Sequence, residues 1–172
     1  MQTRTMHRKH LGTLGEVAVA KAIMAAGFHV FVEFGDLARV DLIALDPRDG
    51  RLYKIQVKTI HNRTGAIRVK RSKAGPNYNY TYQPEDFDIL AIYLPGSDQI
   101  AYLKSEELQR SITLRVDPAK NKQQRGIRWF RDYVSLERVL RDYEQDTSAG
   151  QAGGEDIVQT TTERAHESES SR

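Results

Sequence analysis

The sequence predicts a single α/β domain built on a central mixed β-sheet flanked by helices. Three observations lead there. The stretch TLGEVAVAKAIMAA repeats apolar residues at spacings of three and four, the period of a helix with one buried face. Short runs rich in Val, Ile, Leu and aromatic residues follow it, bounded by Gly, Pro, Asn and Asp clusters, as strands are. Their order, one helix and then several strands in succession, lacks the strict alternation that a doubly wound parallel sheet requires.

The elements follow in order. Thr13 to Ala26 forms the helix, with Thr13 as N-cap, Glu16 completing a capping box and Gly27 suited to the C-terminal stop. FHVFVEF is a strand. VDLIALD and RLYKIQVKT pair as a hairpin across the turn PRDG. AIRVK is a short basic strand, and RSKAGPNYNYTYQ is a loop rich in Gly, Asn and Tyr. DILAIYL is a buried strand that turns at PGSD into QIAYLK. SEELQ starts a short helix, ITLRV is a further strand, NKQQRGIR is a basic loop, and Ser135 caps a final helix, SLERVLRDY. The Ser, Thr, Gly and Glu-rich segment from Asp146 onward has too little apolar surface to offset its ordering entropy. The expected organisation is therefore one domain over 1–145 and a disordered acidic tail over 146–172.

Composition narrows the function. Of 172 residues, 39% are hydrophobic and 28% charged, and no apolar run approaches the roughly 20 residues that span a bilayer. The chain has no cysteine, which excludes a disulfide scaffold and thiolate metal sites and fits a reducing cytoplasm. The net charge of +3 conceals an asymmetry, because residues 144–172 hold seven acidic residues and two arginines. Residues 1–143 keep 24 basic and 16 acidic residues, about +8, a balance that suits either a polyanionic partner such as nucleic acid or a well-solvated surface. His7, His10, His29 and His61 form no HxH or HExxH pattern, which argues against a zinc site.

One constellation carries chemistry. In YKIQVK, Ile55 and Val57 share one face of a strand, and Lys54, Gln56 and Lys58 the other. If the hairpin closes through Pro47 to Gly50, Asp46 faces Arg51 and Asp41 faces Gln56; a turn at Asp49-Gly50 would set Asp41 opposite Lys58 instead. Both keep Asp41, Gln56 and Lys58 on one face, whereas a one-residue slip would separate them. A carboxylate, an amide oxygen and an ammonium on one face can hold a hard divalent cation such as Mg²⁺ together with a substrate phosphate, and can orient a water nucleophile. Glu16 shares a helix face with Val19, Ala20 and Ile23 and so either reaches the sheet as a further carboxylate or serves only as the capping glutamate of TLGE. Asp88, entering DILAIYL, either orients the site or forms a strand-entry turn.

The succession GEVAVAKAIMAAGFHVFVEFG, VDLIALD and YKIQVKT resembles the PD-(D/E)XK nuclease core: a helix with Glu, a strand with Asp, and a neighbouring strand with Glu-x-Lys. The likeness spans roughly Leu11 to Leu108 and is nearest the branch of group I intron-encoded homing endonucleases that carries Gln-x-Lys. It implies a restriction-endonuclease-like fold and metal-dependent hydrolysis of DNA phosphodiester bonds with Mg²⁺ or Mn²⁺. It also implies Glu16 and Asp41 as acidic site residues, Gln56 in the (D/E) position as a metal ligand beside them, and Lys58 as the catalytic lysine. Val40 stands where the pattern has proline, and Gln56 removes one negative charge. The competing readings are a catalytically degenerate DNA-binding protein on the same core, a DNA-repair or junction-resolving nuclease, and an RNA-processing nuclease.

Contacts to double-stranded DNA are expected from RVKRSK, with Arg68, Lys70, Arg71 and Lys73, and from Tyr78 and Tyr80 in the following loop, where basic and aromatic residues interleave. A charged edge strand with tyrosines packed on the core is the alternative. Lys120, Lys122, Arg125 and Arg128 form a second basic segment, either a DNA contact or a solvated loop. Because cutting both strands with one site per chain takes at least two chains, a homodimer or homotetramer is expected.

Overall fold

The computed structural model describes residues 8–33, 39–62, 64–75, 78–118 and 125–141. The expected 145/146 boundary and the acidic tail lie outside the described residues. The chain divides into two compact units, Met1–Leu136 and Glu137–Arg172. Of the second, residues 137–141 are described and are helical, part of a helical run over 136–141 that begins just after Ser135, where the sequence predicts a cap.

The first unit opens with helix α1, Arg8–Ala25. It starts before the predicted Thr13, because Arg8, Lys9 and Leu11 are good helix formers and nothing in RKHL breaks the turn. Thr13 therefore sits inside the helix, its hydroxyl donating to the carbonyl of Lys9 at 3.3 Å, and TLGE is not a capping box. Gly27, at φ +93°, ends the helix as predicted, since a left-handed residue there costs glycine no Cβ clash.

The central sheet has five strands: β1 (His29–Val32), β2 (Leu42–Leu45), β3 (Leu52–Thr59), β7 (Ile89–Leu94) and β8 (Gln99–Lys104), in that spatial order. The β3–β7 pair is parallel and its neighbours antiparallel, so the sheet is mixed, as the sequence predicts. Strands β4 (Ala66–Lys70) and β9 (Ser111–Arg115) form a second sheet, and β5 (Ser72–Gly75) with β6 (Tyr78–Thr81) a third. The last pair replaces the loop predicted for 71–83: alternating Tyr and Asn supply strand character that the Gly-Pro turn signals conceal. The short helix expected at SEELQ is a 3₁₀ turn, Ser105–Glu107.

Two apolar layers enclose the sheet. Gly15 of α1 lies against Thr59 and Tyr93, so the odd-numbered face of β3, with Tyr53, Ile55 and Val57, meets the helix. Val19 and Ile23 bury completely there. The other face belongs to a core of Leu90, Ile92, Leu94, Leu103, Tyr82 and Phe87, joined by Ile67, Val69, Ile112 and Leu114 from the β4–β9 sheet. Gln56 pairs with Leu90 and Lys58 with Ile92, which sets both polar residues on this second face, at the margin of an apolar layer.

Candidate active site

The β2–β3 hairpin fixes the site. Asp46 donates its N–H to the carbonyl of Arg51 at 2.8 Å, and Gly50 at φ +77° turns the chain back. The buried Asp46 carboxylate holds the turn by accepting from the Arg48 guanidinium and backbone, and those bonds keep its pKa below the usual carboxylate value. Leu42 then pairs with Ile55, which is the register of the four-residue loop considered above.

Asp41, one residue before β2, donates its N–H to the carbonyl of Ile55 at 3.0 Å. Its carboxylate Oδ2 accepts from the Val57 N–H at 2.6 Å and from the side-chain amide of Gln56. The same Gln56 nitrogen donates to the Val57 carbonyl at 3.3 Å. Asp41 Oδ2 and Val57 O thus converge on one donor, and Gln56 is 5% exposed. Which end of such an amide faces the two oxygens is set by its hydrogen-bond network, so a cation arriving there would favour its oxygen. The donor set on offer is a carboxylate, a carbonyl and an amide oxygen, all hard ligands suited to a small divalent ion. Among the described residues no three side chains of His, Cys, Asp or Glu gather as a metal cluster.

Lys58 follows on the same face, with Nζ 4.9 Å from the centroid of the Tyr82 ring. Glu16 is half-buried on α1 beside Gly15, hence at the Thr59 end of β3, with its carboxylate lying back toward Gly12. Asp88 proves to be the strand-entry residue: its carboxylate accepts from the Lys54 N–H at 2.7 Å and its own N–H donates to the Lys54 carbonyl at 2.9 Å.

The basic residues separate into two groups. Arg68 and Lys70 point outward from β4 while Ile67 and Val69 enter the core; Arg68 also donates to the Ser111 hydroxyl. Arg125 and Arg128 are exposed. Arg71, in contrast, is buried, and its guanidinium is consumed internally. It donates to the carbonyl of Tyr82 at 2.7 Å, to the carbonyl and hydroxyl of Ser105, and to the carbonyl of Leu108. The expectation that Arg71 meets DNA is therefore corrected: a buried guanidinium with four of its five N–H donors spent on internal oxygens does not face a phosphate. Tyr80 is likewise engaged, its hydroxyl bonded to Asp86 and its ring beneath the Arg39 guanidinium at 4.2 Å. The bonds from Tyr80, Gln83 and Arg39 outweigh the burial that would raise the Asp86 pKa, and lower it. The side chains of Lys73 and Tyr78, and residues Lys120 and Lys122, lie outside what the structure describes.

Sequence reasoning overlooked the Val57 carbonyl, because a main-chain atom leaves no mark in a sequence. It also missed Arg39, whose only signal was a cation two residues before Asp41.

The sequence profile of the PD-(D/E)XK endonucleases matches residues 6–136, most of the chain. This chain belongs to the PD-(D/E)XK endonuclease family. As a PD-(D/E)XK endonuclease it is a DNA-cleaving hydrolase, and the Asp41 to Lys58 hairpin lies well inside the matched region. Its fold is similar to that of a bacterial homing endonuclease, I-Ssp6803I, with a TM-score of 0.62 and 17% identity over 85% of this chain and 99% of that one. A Holliday junction resolvase from the archaeal hyperthermophile Archaeoglobus fulgidus is also similar, at a TM-score of 0.41 and 14% identity over 60% of this chain and 83% of that one. Comparison with curated protein sequences returns no match. No helix among the described residues is long and apolar enough to cross a membrane.

Proposed function

We propose that this PD-(D/E)XK endonuclease is a metal-dependent enzyme of the homing type, hydrolysing phosphodiester bonds in double-stranded DNA with Asp41, Gln56, Lys58 and Glu16 as its site. The observation that carries the reading is the convergence of Asp41 Oδ2 and Val57 O on the Gln56 amide, with Lys58 next along the same face. Asp41 would hold Mg²⁺ or Mn²⁺, with Gln56 and the Val57 carbonyl as neutral ligands; Glu16, carried by α1 on the opposite face of β3, would add a second carboxylate only from the Thr59 end of that strand. The ion would supply Lewis-acid polarisation of the scissile phosphate. Lys58 orients the attacking water by hydrogen bonding and sets a positive charge beside the phosphate oxygens as their charge rises. The apolar layer behind Lys58 limits solvent on that side, which strengthens both interactions. Arg68, Lys70, Arg125 and Arg128 are the exposed cations that would follow the DNA backbone. The reading includes a homodimer or homotetramer, since two strands need two sites, and a cytoplasmic location, in keeping with the absence of cysteine.

A second reading, a DNA-binding protein without cleavage, draws on the same amide: Gln56 donates to the carboxylate that should bind metal. Cleavage of supercoiled plasmid, a branched junction and a randomised duplex library, each with Mg²⁺, Mn²⁺ or EDTA, decides between them. Asp41→Ala and Lys58→Ala, checked for folding, should lose at least about a hundredfold in metal-dependent cleavage, in line with removal of a charge-stabilising group. Binding without cleavage under every condition would select the second reading, with Gln56→Glu the variant to test for restored activity. Preference for the branched substrate would select junction resolution over homing.

A further inference from the structure

We infer that Tyr82 is a positioning residue for Lys58; the inference rests on the assignment of Lys58 as the lysine of the reaction. A lysine side chain has four rotatable bonds, and an ammonium that must stand at one place beside a phosphate loses precision to that freedom. Here Lys58 Nζ lies 4.9 Å from the Tyr82 ring centroid, within the range where the negative face of an aromatic ring attracts a cation. The ring is itself immobilised. It is 4% exposed and meets Phe87 edge-on at 5.5 Å and 72°, and Tyr80 at 5.1 Å and 83°.

The backbone of Tyr82 is clamped as firmly as its ring. Its N–H donates to the Arg71 carbonyl at 2.9 Å, and its carbonyl accepts from Arg71 Nε at 2.7 Å. Arg71 continues to Ser105 and Leu108, at the foot of β8. A buried cation thus holds a ring, and the ring holds a second cation at the site. This gives a reason for burying a guanidinium among main-chain carbonyls: its donors define where residue 82 stands. On the far side, Tyr80 carries Arg39, two residues before Asp41. Both ends of the site are therefore tied to one aromatic stack.

Lys58→Ala, Tyr82→Phe, Tyr82→Leu and a series of fluorinated phenylalanines at 82 separate the possibilities. Fluorination preserves the shape of the ring while draining its negative face, so folding is retained where leucine could fail. Tyr82→Phe should keep kcat within about threefold. Across the fluorinated series kcat should fall by about threefold to thirtyfold, from cation–π energetics, with KM for DNA unchanged. NMR supplies a readout besides activity: the Lys58 ε-methylene protons should be shifted upfield by the Tyr82 ring in the wild type and in Tyr82→Phe, and lose that shift in Tyr82→Leu. Unchanged kcat across the fluorinated series, with Lys58→Ala inactive, would overturn the inference and leave the assignment of Lys58 intact. Full cleavage by Lys58→Ala would overturn that assignment and, with it, any part Tyr82 plays in the reaction.

Discussion

Alanine at position 15 should push α1 away from the sheet that carries the site. Gly15 lies within the helix, where exchange to alanine ordinarily stabilises by about 1 kcal/mol through backbone entropy. Here a Cβ would stand 1.9 Å from Thr59 Oγ1, 3.2 Å from Thr59 Cβ and 3.5 Å from Tyr93 Cδ1. Rotating Thr59 about χ1 relieves the first contact and leaves the second, because Cβ does not move. The helix must lift, at an overpacking cost of about 1–3 kcal/mol. The net effect is a loss of about 1 kcal/mol, where a solvent-facing glycine would have produced a gain of similar size. For a chain of this length that lowers Tm by about 2–4 °C. Because Thr59 Oγ1 is buried with no hydrogen-bond partner among the described residues, Thr59→Ala removes the nearer obstructing atom and breaks no hydrogen bond described there. Urea unfolding of Gly15→Ala, Thr59→Ala and the double variant should show coupling of about 0.5–1 kcal/mol, with the double variant recovering part of the loss, because alanine at 59 keeps the Cβ that stands 3.2 Å away. Cleavage should fall in Gly15→Ala, since Glu16 moves with the helix. A stabilised Gly15→Ala with additive behaviour at Thr59 would refute the close approach of α1 to β3.

Further outcomes bear on the charged residues. Arg71→Met should cost about 2–4 kcal/mol in urea unfolding, because carbonyls of Tyr82, Ser105 and Leu108 lose charged donors, and should leave the salt dependence of DNA affinity unchanged. Lys70→Ala, exposed on β4, should leave stability within about 0.5 kcal/mol of wild type and lower the salt slope of DNA binding by about 0.9. Asp46, whose pKa is lowered in the folded state chiefly by its bonds from Arg48, contributes stability that is present above its unfolded value and lost as pH falls through the folded one. The stability difference between wild type and Asp46→Asn should thus be full at pH 7 and shrink below about pH 4, as followed by urea unfolding across pH.

Much of the site was legible in the order of the residues. Period-two alternation put Gln56 and Lys58 on one side of their strand, and the turn PRDG left few registers, of which the four-residue loop is the one adopted. Such features are local: they follow from backbone geometry and neighbouring residues, so sequence alone carries them. Capping was less legible. TLGE has the composition of a capping box, but the helix continues through it because the preceding residues favour helix too. The tyrosine-rich segment read as a loop because its turn residues are plain in sequence, whereas the partner that makes it a hairpin is the segment itself folded back.

The sequence by itself determined the family pattern, the mixed sheet, the few registers open to the hairpin and the identity of Asp41, Gln56 and Lys58 as neighbours. Tertiary structure alone decided what each charge is for. Arg68, Lys70 and Arg71 stand almost side by side in one basic run, yet two face water and the third is buried among the carbonyls of residues 82, 105 and 108. The same holds for Tyr80 and Tyr82, of which the first lies beneath Arg39 and the second became the ring beneath Lys58. Residue type records what a side chain can bond; which partners arrive depends on segments tens of positions away, brought together only when the apolar layers close.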